Sequence, residues 1–577
     1  MNHDEQNTDE QTTDVAAERA GIVLGPLLRF VDDHQATVWV ETDTAVQVTV
    51  ECDGVRRTEP TWSLHGHHYA LVVLDGLPAD AELPYTVSLD DQQVWPLPGA
   101  PASLVRTTSD EESVRLAFGS CRRGEGHTPD QLAALGADAL VAMALRMQEL
   151  DHAQWPDALL LVGDQVYADD PSEAILEKLH ARRAAGEGPP GVDAGGEEVV
   201  DEICDFEEYT WLYHESWGSE HVRWLLSTLP TCMILDDHDL RDDWNSSWSW
   251  RQQIITEPWW RSRVIGAFSS YWVYQHLGNL SPTELAEDKL YQAVREAPGD
   301  AERVQLLADF AWRADTEPQS MQWSYHRDFG RNRLVVLDSR CSRRLDPANR
   351  AMMDTAEWEW ARQQALQPLP SGKPVQHLLI GSTLPFLMLP GLHHLEGWNE
   401  ATAQGAWGKL GSKVGEKIRL AVDLEHWAAF RQSFDDMVAL VADVAHLPEP
   451  PASVLWLSGD VHCSYLAEAQ VQDVEPRDTA VHQLTMSPFR NPLNKPIQVV
   501  NKLVKRPAVA GTLRLLARAA GVRDPAIRWD VQGGPWFDNG VMTVVLKGRK
   551  ASVEVEHASV DEQGRQVLQR TLVRRLA

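Results

Sequence analysis

Residues 158–167 are Ala158-Leu159-Leu160-Leu161-Val162-Gly163-Asp164-Gln165-Val166-Tyr167, a short apolar run followed by a glycine and a polar turn. Five consecutive apolar residues bounded by a glycine are typical of a buried strand. The turn then presents the carboxylate of Asp164 and, three residues on, the phenol of Tyr167. A buried strand with polar groups at its carboxyl end predicts a layered α/β domain with a ligand site at that edge.

Four more segments of the chain combine an apolar strand with a polar end. They are Val114–Phe118 before Gly119-Ser120-Cys121, Cys232–Leu235 before Asp236-Asp237-His238, Leu334–Leu337 before Asp338, and Val454–Leu457 before Ser458-Gly459-Asp460-Val461-His462. Helical stretches separate these strands along the chain, as in α/β folds. Because ligands of such sheets bind outside the carboxyl ends of the strands, one crevice can collect all five ends.

The rest of the chain divides into further regions. Residues 1–20 form an acidic segment that is expected to be a disordered tail. Residues 21–108 contain short alternating stretches between Asp and Gly turns, which predicts a small β-sandwich of immunoglobulin or fibronectin type. Residues 111–577 are assigned to the catalytic domain, with a helical insertion around 170–230 and C-terminal edge strands around 538–575.

Composition and charge indicate a folded, acidic protein. The chain has 577 residues, of which 43% are hydrophobic and 24% charged, as in ordinary globular proteins. The 52 Lys and Arg against 85 Asp and Glu give a net charge of −33, which argues against nucleic acid or an anionic membrane as a partner recruited by charge alone. Six scattered cysteines do not form the dense pattern of a disulfide framework, so a reducing compartment is favoured.

The N-terminal segment and the apolar runs bear on localisation. Residues 1–19 have neither a cationic start nor an apolar core, so no signal peptide or twin-arginine leader is visible. No apolar run is long enough to span a bilayer. We therefore expect a cytoplasmic protein.

The strand ends supply the residue types of a metal centre. A carboxylate such as Asp164 can bridge two metal ions, and a tyrosinate favours a hard, strongly charged ion such as Fe³⁺. Asp237 belongs to a run of ionisable groups that must share a cation or stay protonated when buried. Asp460 and His462 are spaced so that both side chains face the same way. His238 is a candidate general acid, with a role as a ligand or as a support for a ligand as the alternative.

Three other segments were weighed as functional candidates. His65-Gly66-His67-His68 superficially has the spacing of metal ligands, but we expect no metal there, because the segment lies on a predicted turn and strand of the β-sandwich with no nearby carboxylate or Cys to complete a shell. His393-His394 is expected to lie at the surface, in a loop after Pro390. Ser487-Pro488-Phe489-Arg490-Asn491 is placed so that it can reach the crevice.

Taken together, the motifs resemble the alkaline phosphatase D (PhoD)-like metallophosphatases of the calcineurin-like phosphoesterase superfamily. The resemblance rests, in family order, on Phe118-Gly119-Ser120-Cys121, Gly163-Asp164-Gln165-Val166-Tyr167, Asp236-Asp237-His238-Asp239, Leu337-Asp338-Ser339-Arg340 and Ser458-Gly459-Asp460-Val461-His462. It implies a four-layer αββα metallophosphoesterase sandwich, preceded by the small β-sandwich.

The resemblance also implies a pair of metal ions. In that family a Cys, an Asp, a Tyr and a His hold iron, while the shared Asp and further oxygen ligands hold calcium. The implied ions are Fe³⁺ and Ca²⁺, with Mn²⁺, Mg²⁺ or Zn²⁺ as alternatives at the second position. The implied ligands are Cys121, Asp164, Tyr167 and His462 for the iron, and Asp164, Asp237 and Asp460 for the second ion. This chain carries Asp242 and Asp243 where relatives often have Asn.

The activity implied by the resemblance is hydrolysis of phosphate monoesters or diesters by metal-activated water or hydroxide. His238 would protonate the leaving group, and Arg340, together with Asp338, would bind the substrate phosphate. A structural ion pair between Asp338 and Arg340 is the alternative. The expected partner is a small phosphoester, without nucleic acid or membrane, and the protein is expected to be a monomer. A catalytically weak, metal-stabilised binding or regulatory module on the same fold is the alternative function.

Overall fold

The structure, a computed structural model, describes residues 20–108, 113–189, 200–422, 424–472 and 479–577. The tail predicted at residues 1–20 lies outside these residues, apart from Ala20. Within the same ranges, no helix is both long and apolar enough to cross a bilayer.

The N-terminal region consists of two antiparallel sheets packed face to face. Its strands are β1 Ile22–Val31, β2 Gln35–Thr42, β3 Gln47–Cys52, β4 Val55–Pro60, β5 Trp62–Leu64, β6 His67–Asp75, β7 Glu82–Leu89, β8 Gln92–Trp95 and β9 Leu104–Arg106. One sheet has the order β1-β2-β6-β5, and the other has β4-β3-β7-β8 with β9 beside β7. Every second side chain of a strand faces the same way, and Val38, Val48 and Val87 are fully buried between the sheets. The predicted β-sandwich is therefore confirmed.

Two larger mixed sheets follow. Their strands are β10 Val114–Gly119, β11 Ala158–Val162, β12 Thr231–Ile234, β13 Tyr325–Phe329, β14 Asn332–Leu337, β15 His377–Ser382, β16 Ser453–Ser458, β17 Ser464–Val471, β18 Ala480–Thr485, β19 Ile527–Trp536, β20 Gly540–Lys547, β21 Lys550–Val560 and β22 Gln566–Arg575. One sheet has the order β12-β11-β10-β20-β21-β22 and the other β13-β14-β15-β16-β18-β17-β19. The five strands predicted from apolar runs correspond to β10, β11, β12, β14 and β16.

Helices connect the strands in the described part of the chain. They are α1 Pro129–Leu135, α2 Ala139–Glu149, α3 Glu173–Ala184, α4 Phe206–Trp217, α5 Glu220–Thr228, α6 Trp248–Ile254, α7 Trp260–Tyr271, α8 Pro282–Glu287, α9 Lys289–Glu296, α10 Asp300–Thr316, α11 Thr355–Leu366, α12 Pro390–Ala403, α13 Gly408–Ala421, α14 Arg431–Ala445, α15 Lys495–Val504 and α16 Pro507–Ala519. In β14, Leu334 and Val336 face the neighbouring sheet, whereas Val335 and Leu337 pack in the core formed with α11 and α14. Because α2 packs on the other sheet, the layers are αββα, as the resemblance implies.

Two segments of the second domain were singled out in the sequence, and one of them differs from the prediction. Helices α3, α4 and α5 occupy the region predicted as a helical insertion, of which residues 190–199 lie outside the described part. The C-terminal segment predicted as edge strands includes β20, which lies inside its sheet because it pairs antiparallel with β10. Among the strands of this segment, β22 is the one at the edge of the sheet.

Buried polar contacts fix the β-sandwich on the catalytic layers. Arg29 of β1 is buried, and its guanidinium donates to the carbonyls of Tyr274 at 2.8 Å and Gln275 at 2.7 Å. The carboxylate of Glu41, also fully buried, pairs with His67 Nδ1 and His214 Nε2, each at 2.8 Å. Each group therefore has a partner across the interface, as burial of charge requires.

His67 lies between two carboxylates at this interface. Its Nδ1 faces Glu41, and its Nε2 lies 2.9 Å from Glu207 Oε2 of α4. The sequence-based argument that no carboxylate lies near His65–His68 is wrong, because Glu41 and Glu207 reach His67 from distant parts of the chain. Both ring nitrogens are engaged in ion pairs, which indicates a structural role for His67.

The ion pairs of His67 predict a pH-dependent stability. Burial disfavours the cation, but the carboxylates of Glu207 and Glu41 outweigh burial and raise the pKa of His67 to about 9 from 6.5. The stabilisation is fully present below pH 6.5 and is lost as the pH rises through about 9. We expect His67→Gln to lower the free energy of unfolding near neutral pH by an amount on the order of 2 kcal/mol, and the melting temperature with it. The difference from the unmodified protein should shrink as the pH approaches 9; a constant difference would contradict this account.

Candidate metal centre

The predicted ligands come together at one edge of the two large sheets. Cys121 follows β10, Asp164 follows β11 and Asp237 follows β12, whereas Asp460 and His462 follow β16 of the other sheet. Neighbouring strands β10, β11 and β12 are parallel, as are β14, β15 and β16, so the carboxyl ends within each sheet lie together. The sheets meet there, since the N–H of Asp460 donates to Ser120 Oγ at 2.9 Å.

The backbone at these strand ends is left-handed. The φ angles are 58° at Cys121, 52° at Asp164, 66° at Asp460 and 46° at His462. This conformation costs an ordinary L-residue about 1 kcal/mol or more, and such strain is concentrated at functional sites. The turns after the strands therefore direct these four side chains at an energetic cost.

Close approach explains the glycines that precede two of the aspartates. A Cβ on Gly163, whose φ is 97°, would lie 2.6 Å from the Cβ of Asp236. A Cβ on Gly459 would lie 2.1 Å from Ser120 Oγ. Gly163 thus lets the ends of the neighbouring strands β11 and β12 approach each other, and Gly459 lets the end of β16 approach that of β10 in the other sheet.

One group of ligands surrounds Asp164 from the side of Cys121. A sulfur, a carboxylate oxygen and an imidazole nitrogen, from Cys121, Asp164 and His462, lie within 4.8 Å of one another. The thiol of Cys121 lies 3.2 Å from Asp164 Oδ2, and the phenol oxygen of Tyr167 lies 3.5 Å from the same oxygen. The structure thus brings the four residues predicted for iron to a single point.

A second group surrounds Asp164 from the other side. Carboxylate oxygens of Asp164, Asp236, Asp237 and Asp460 lie within 4.8 Å of one another. Asp164 belongs to both groups, as expected for a bridging ligand. Asp236 was not assigned a role from the sequence, although its position beside Asp237 was a signal.

The charges of these groups are not balanced by the described protein atoms alone. Asp164 Oδ1 and Asp236 Oδ2 are buried without a hydrogen-bond partner among the described residues, and Asp237 Oδ1 makes no hydrogen bond although Arg340 Nη2 lies 3.1 Å away. Burial, reinforced by the negative charge of Asp236, raises the pKa of Asp164 and of Asp237 well above the usual range. A bound cation would reverse both effects, so the donor set fits a metal centre.

The sulfur and nitrogen donors fit the same centre. Burial and then the carboxylate of Asp164 raise the pKa of Cys121 well above its usual value, which a bound cation would also reverse. Burial lowers the pKa of His462 to about 4, so its imidazole is neutral near pH 7, the form that binds metals.

The segment Ser487–Asn491 reaches the crevice and supports the first group. Ser487 Oγ donates to the sulfur of Cys121 at 3.2 Å and accepts the N–H of His462 at 3.1 Å. The side-chain amide of Asn491 donates to the phenol oxygen of Tyr167 at 2.9 Å. These bonds support Cys121, His462 and Tyr167, the three residues that surround Asp164 in the first group.

His238 lies beside the crevice with one nitrogen held. Its Nδ1 lies 2.9 Å from Asp169 Oδ2, its ring packs 4.8 Å from that of Tyr167, and its side chain is 24% exposed. Burial opposes its protonation, but the carboxylates of Asp169 and Asp164 outweigh it and raise the pKa of His238 well above its usual value. This direction favours the protonated imidazole, as the predicted role of general acid requires. Asp169, which was missed in the sequence, holds it.

Arg340 is buried beneath the carboxylates. Its guanidinium has no exposed surface and pairs with Asp236 and Glu425, while Nη2 lies 3.1 Å from Asp237 Oδ1. The carboxylate of Asp338 instead accepts the N–H groups of its own turn, those of Arg340, Cys341 and Ser342. This geometry favours a structural role for both residues over the predicted substrate contact. The alternative prediction of an ion pair between Asp338 and Arg340 is wrong in its partner, because Arg340 pairs with Asp236 and Glu425.

Replacement of Arg340 tests these two roles. In Arg340→Met, Asp236 and Glu425 would stay buried without their main cation, a change that typically costs 3–5 kcal/mol. We expect the free energy of unfolding to fall by about 3 kcal/mol, together with weaker metal binding. A rise in KM without loss of stability would instead support direct contact with the substrate.

A histidine that the sequence did not reveal faces the second group. His426 Nε2 lies 3.6 Å from Asp460 Oδ2, and its Nδ1 lies 2.7 Å from Glu396 Oε1. Although burial acts in the opposite direction, this histidine and Arg340 lower the pKa of Asp460 to about 2. His426 therefore keeps Asp460 ionised and available as a ligand.

The expectation that His393-His394 lies at the surface is wrong for His393. That residue is buried on α12, and its ring packs 4.9 Å from Phe434 and 4.8 Å from Trp529. Burial lowers its pKa well below the usual value, so it is a neutral core residue.

Comparisons with known proteins give two family matches. The family described as PhoD-like phosphatase matches residues 146–508, and a domain of unknown function, DUF7800, matches residues 19–107. The first range includes all the predicted ligands except Cys121. No curated protein matches the chain.

Two solved structures are similar to this chain. One described as the structure of PhoD has a TM-score of 0.57 at 13% identity, covering 96% of this chain and 92% of that chain. The purple acid phosphatase PPD1 from yellow lupin (Lupinus luteus) seeds has a TM-score of 0.45 at 10% identity, covering 95% and 73%. At this identity the likeness to PhoD concerns the fold alone.

Proposed function

Since this chain belongs to the family of PhoD-like phosphatases, we propose that it hydrolyses small phosphate monoesters or diesters at the metal centre described above. Membership of the family makes it a phosphoric ester hydrolase, and its cluster of buried carboxylates makes the activity metal-dependent. The proposal depends above all on Asp164, the one residue shared by both ligand groups. A carboxylate in that position can hold two ions close together, as two-metal hydrolases require.

The donor types support a particular pair of ions. A thiolate, a phenolate and an imidazole around one carboxylate suit Fe³⁺, which we assign to Cys121, Asp164, Tyr167 and His462. Carboxylate oxygens alone suit a hard divalent ion, and we assign Ca²⁺ to Asp164, Asp237 and Asp460. Mn²⁺, Mg²⁺ and Zn²⁺ are the alternatives for the second position. Asp236 lies at the edge of this second group and forms an ion pair with Arg340.

The residues of this chain divide the chemistry between them. When bound, the ions would activate a water molecule and neutralise the charge that develops on the phosphoryl oxygens. His238 carries the proton that the leaving oxygen needs, and Asp169 holds its Nδ1 so that Nε2 is free to donate. Asn491 and Ser487 fix Tyr167 and Cys121, which preorganises the site before the substrate arrives.

The experiment that tests the proposal combines metal analysis with two assays. The purified protein should contain iron and a divalent ion, and it should hydrolyse 4-nitrophenyl phosphate, its bis-ester or both. Cys121→Ser should lose iron in preference to the divalent ion, because a hydroxyl replaces the soft sulfur ligand. Tight metal binding that raises the melting temperature without hydrolysis of any phosphoester would instead support the metal-stabilised binding module.

A further inference from the structure

Helix α13 presents an apolar face to solvent instead of to the core. Leu410 is 82% exposed and Val414 54% exposed, and Trp407 precedes them by one helical turn. Residues three and four apart lie on the same side of a helix, so these side chains form one stripe. Such a stripe in a folded protein normally packs against another element, and an exposed one indicates a binding surface.

Helices α15 and α16 repeat the arrangement. Ile497, Val500 and Leu503 of α15 follow one another at three-residue intervals and are all exposed, as is Leu515 of α16. Both α13 and α15 pack on α12, where Gly415 approaches Ala403 and Gly391 approaches the backbone of Val504. We call α13, α15 and α16 together the helical collar.

The collar is basic, although the chain as a whole carries a net charge of −33. Residues 495–524, which contain α15 and α16, include seven Lys or Arg and a single acidic residue, Asp524, which pairs with Arg514 and Arg518. In α13, Lys409, Lys413 and Lys417 are exposed, and the only acidic residue, Glu416, pairs with Arg419. The cations of α13 therefore lie beside its apolar stripe with their charge facing solvent.

Short connections join the collar to residues that support the metal centre. Helix α15 begins four residues after Asn491, which bonds Tyr167, and α13 ends four residues before Glu425, which pairs with Arg340. Docking of the collar would therefore involve helices that are joined directly to the supports of the centre.

We propose that the helical collar docks this protein on an anionic lipid surface. Exposed apolar residues flanked by lysines are the composition of helices that lie in the membrane interface, where the apolar side enters the headgroup region and the cations contact anionic lipids. A soluble polyanion would contact the cations and leave Leu410 and Val500 unused. A second copy joined through the same face would oppose cations to cations. The expectation of no membrane partner rested on the net charge, which does not describe this local distribution.

Flotation with lipid vesicles tests the docking on the full-length, metal-loaded protein without substrate, so its failure leaves the proposed activity untouched. The protein should float with vesicles of phosphatidylcholine and phosphatidylglycerol but not with phosphatidylcholine alone, and added salt should weaken binding. Replacing Lys409, Lys413 and Lys417 by Gln should reduce the binding constant on the order of a hundredfold, at about fivefold for each lysine. The double variant Leu410→Ser with Val500→Ser should also reduce it.

Matched variants separate docking from loss of folding. Val573→Ser changes an equally exposed valine of β22, and Lys550→Gln changes a lysine of the β20–β21 hairpin; both should float as the unmodified protein does. Melting temperatures should be equal in all variants, because the changed side chains are exposed. Two outcomes would overturn the proposal. One is equal flotation of collar and control variants; the other is a dimer that forms without lipid and dissociates in the Leu410→Ser with Val500→Ser variant.

Discussion

Asp164→Asn is expected to reduce kcat/KM for phosphoester hydrolysis by more than about a hundredfold, because it removes the carboxylate common to both ligand groups. Loss of a residue that merely supports a metal ligand typically costs 10–100-fold, and loss of a shared ligand should cost more. The amide keeps the shape of the side chain and can still accept hydrogen bonds. The effect therefore reports the lost charge and not a cavity.

The stability of the same variant should change in opposite directions with and without metal. In metal-free protein, Asp164→Asn removes a carboxyl group whose ionised form is disfavoured by burial and by Asp236, so the melting temperature should stay equal or rise. In the presence of metal, the unmodified protein should gain stability and the variant should gain little. Asp309→Asn, at an exposed position of α10, is the matched control. Full activity with normal metal content in Asp164→Asn would refute the assignment of the centre.

The strands that form the centre were predictable because each is a short apolar run. A strand buried on both faces needs apolar residues at every position, and Ala158–Val162 meets that condition over its whole length. The polar residues after such strands could be assigned to one edge, since parallel strands end on the same side. The same reasoning did not predict that β20 inserts beside β10, because strand order depends on pairing between distant segments.

Among the residues that sequence reasoning missed, Asp169 and His426 lie in loops, and Glu396 lies on α12. Asp169, His426 and Glu396 follow no periodic pattern, and only tertiary structure brings them to His238 and Asp460. Asp236 was passed over for a different reason. Adjacent side chains point to opposite faces within a strand, but β12 ends at Ile234, so Asp236 and Asp237 can both face the crevice.

The depth of a side chain is a further property that the sequence did not reveal. Arg340 was predicted to contact phosphate because a guanidinium after a strand end suits an anion. The guanidinium is fully buried, and the carboxylates of Asp236, Asp237 and Glu425 are its partners in place of a substrate phosphate. A cation beside a carboxylate cluster can therefore serve the ligands instead of the substrate, and the sequence alone does not distinguish these roles.

His238→Gln is expected to slow hydrolysis according to the leaving group of the substrate. An alkyl phosphate leaves as a strongly basic alkoxide and needs a proton, whereas 4-nitrophenolate is stable without one. Loss of a general acid typically costs 10²–10⁴-fold, so we expect about a hundredfold loss in kcat for an alkyl phosphate and a much smaller loss for 4-nitrophenyl phosphate. Both rates are measured on the same preparation, and their ratio does not depend on the active fraction.

The alternative role of His238, as a metal ligand or as a support for one, predicts a different pattern. Losses would then be equal for both substrates, and metal content would fall. Asp169→Asn serves as the companion variant because its amide can still reach Nδ1 but no longer stabilises the imidazolium. If His238 is the acid, this variant should also lose more activity with the alkyl phosphate than with 4-nitrophenyl phosphate. The loss should be smaller than in His238→Gln, and the metal content should be normal. Since Nδ1 is held by Asp169 at 2.9 Å and the ring is partly exposed, Nε2 is the atom from which the proton would leave.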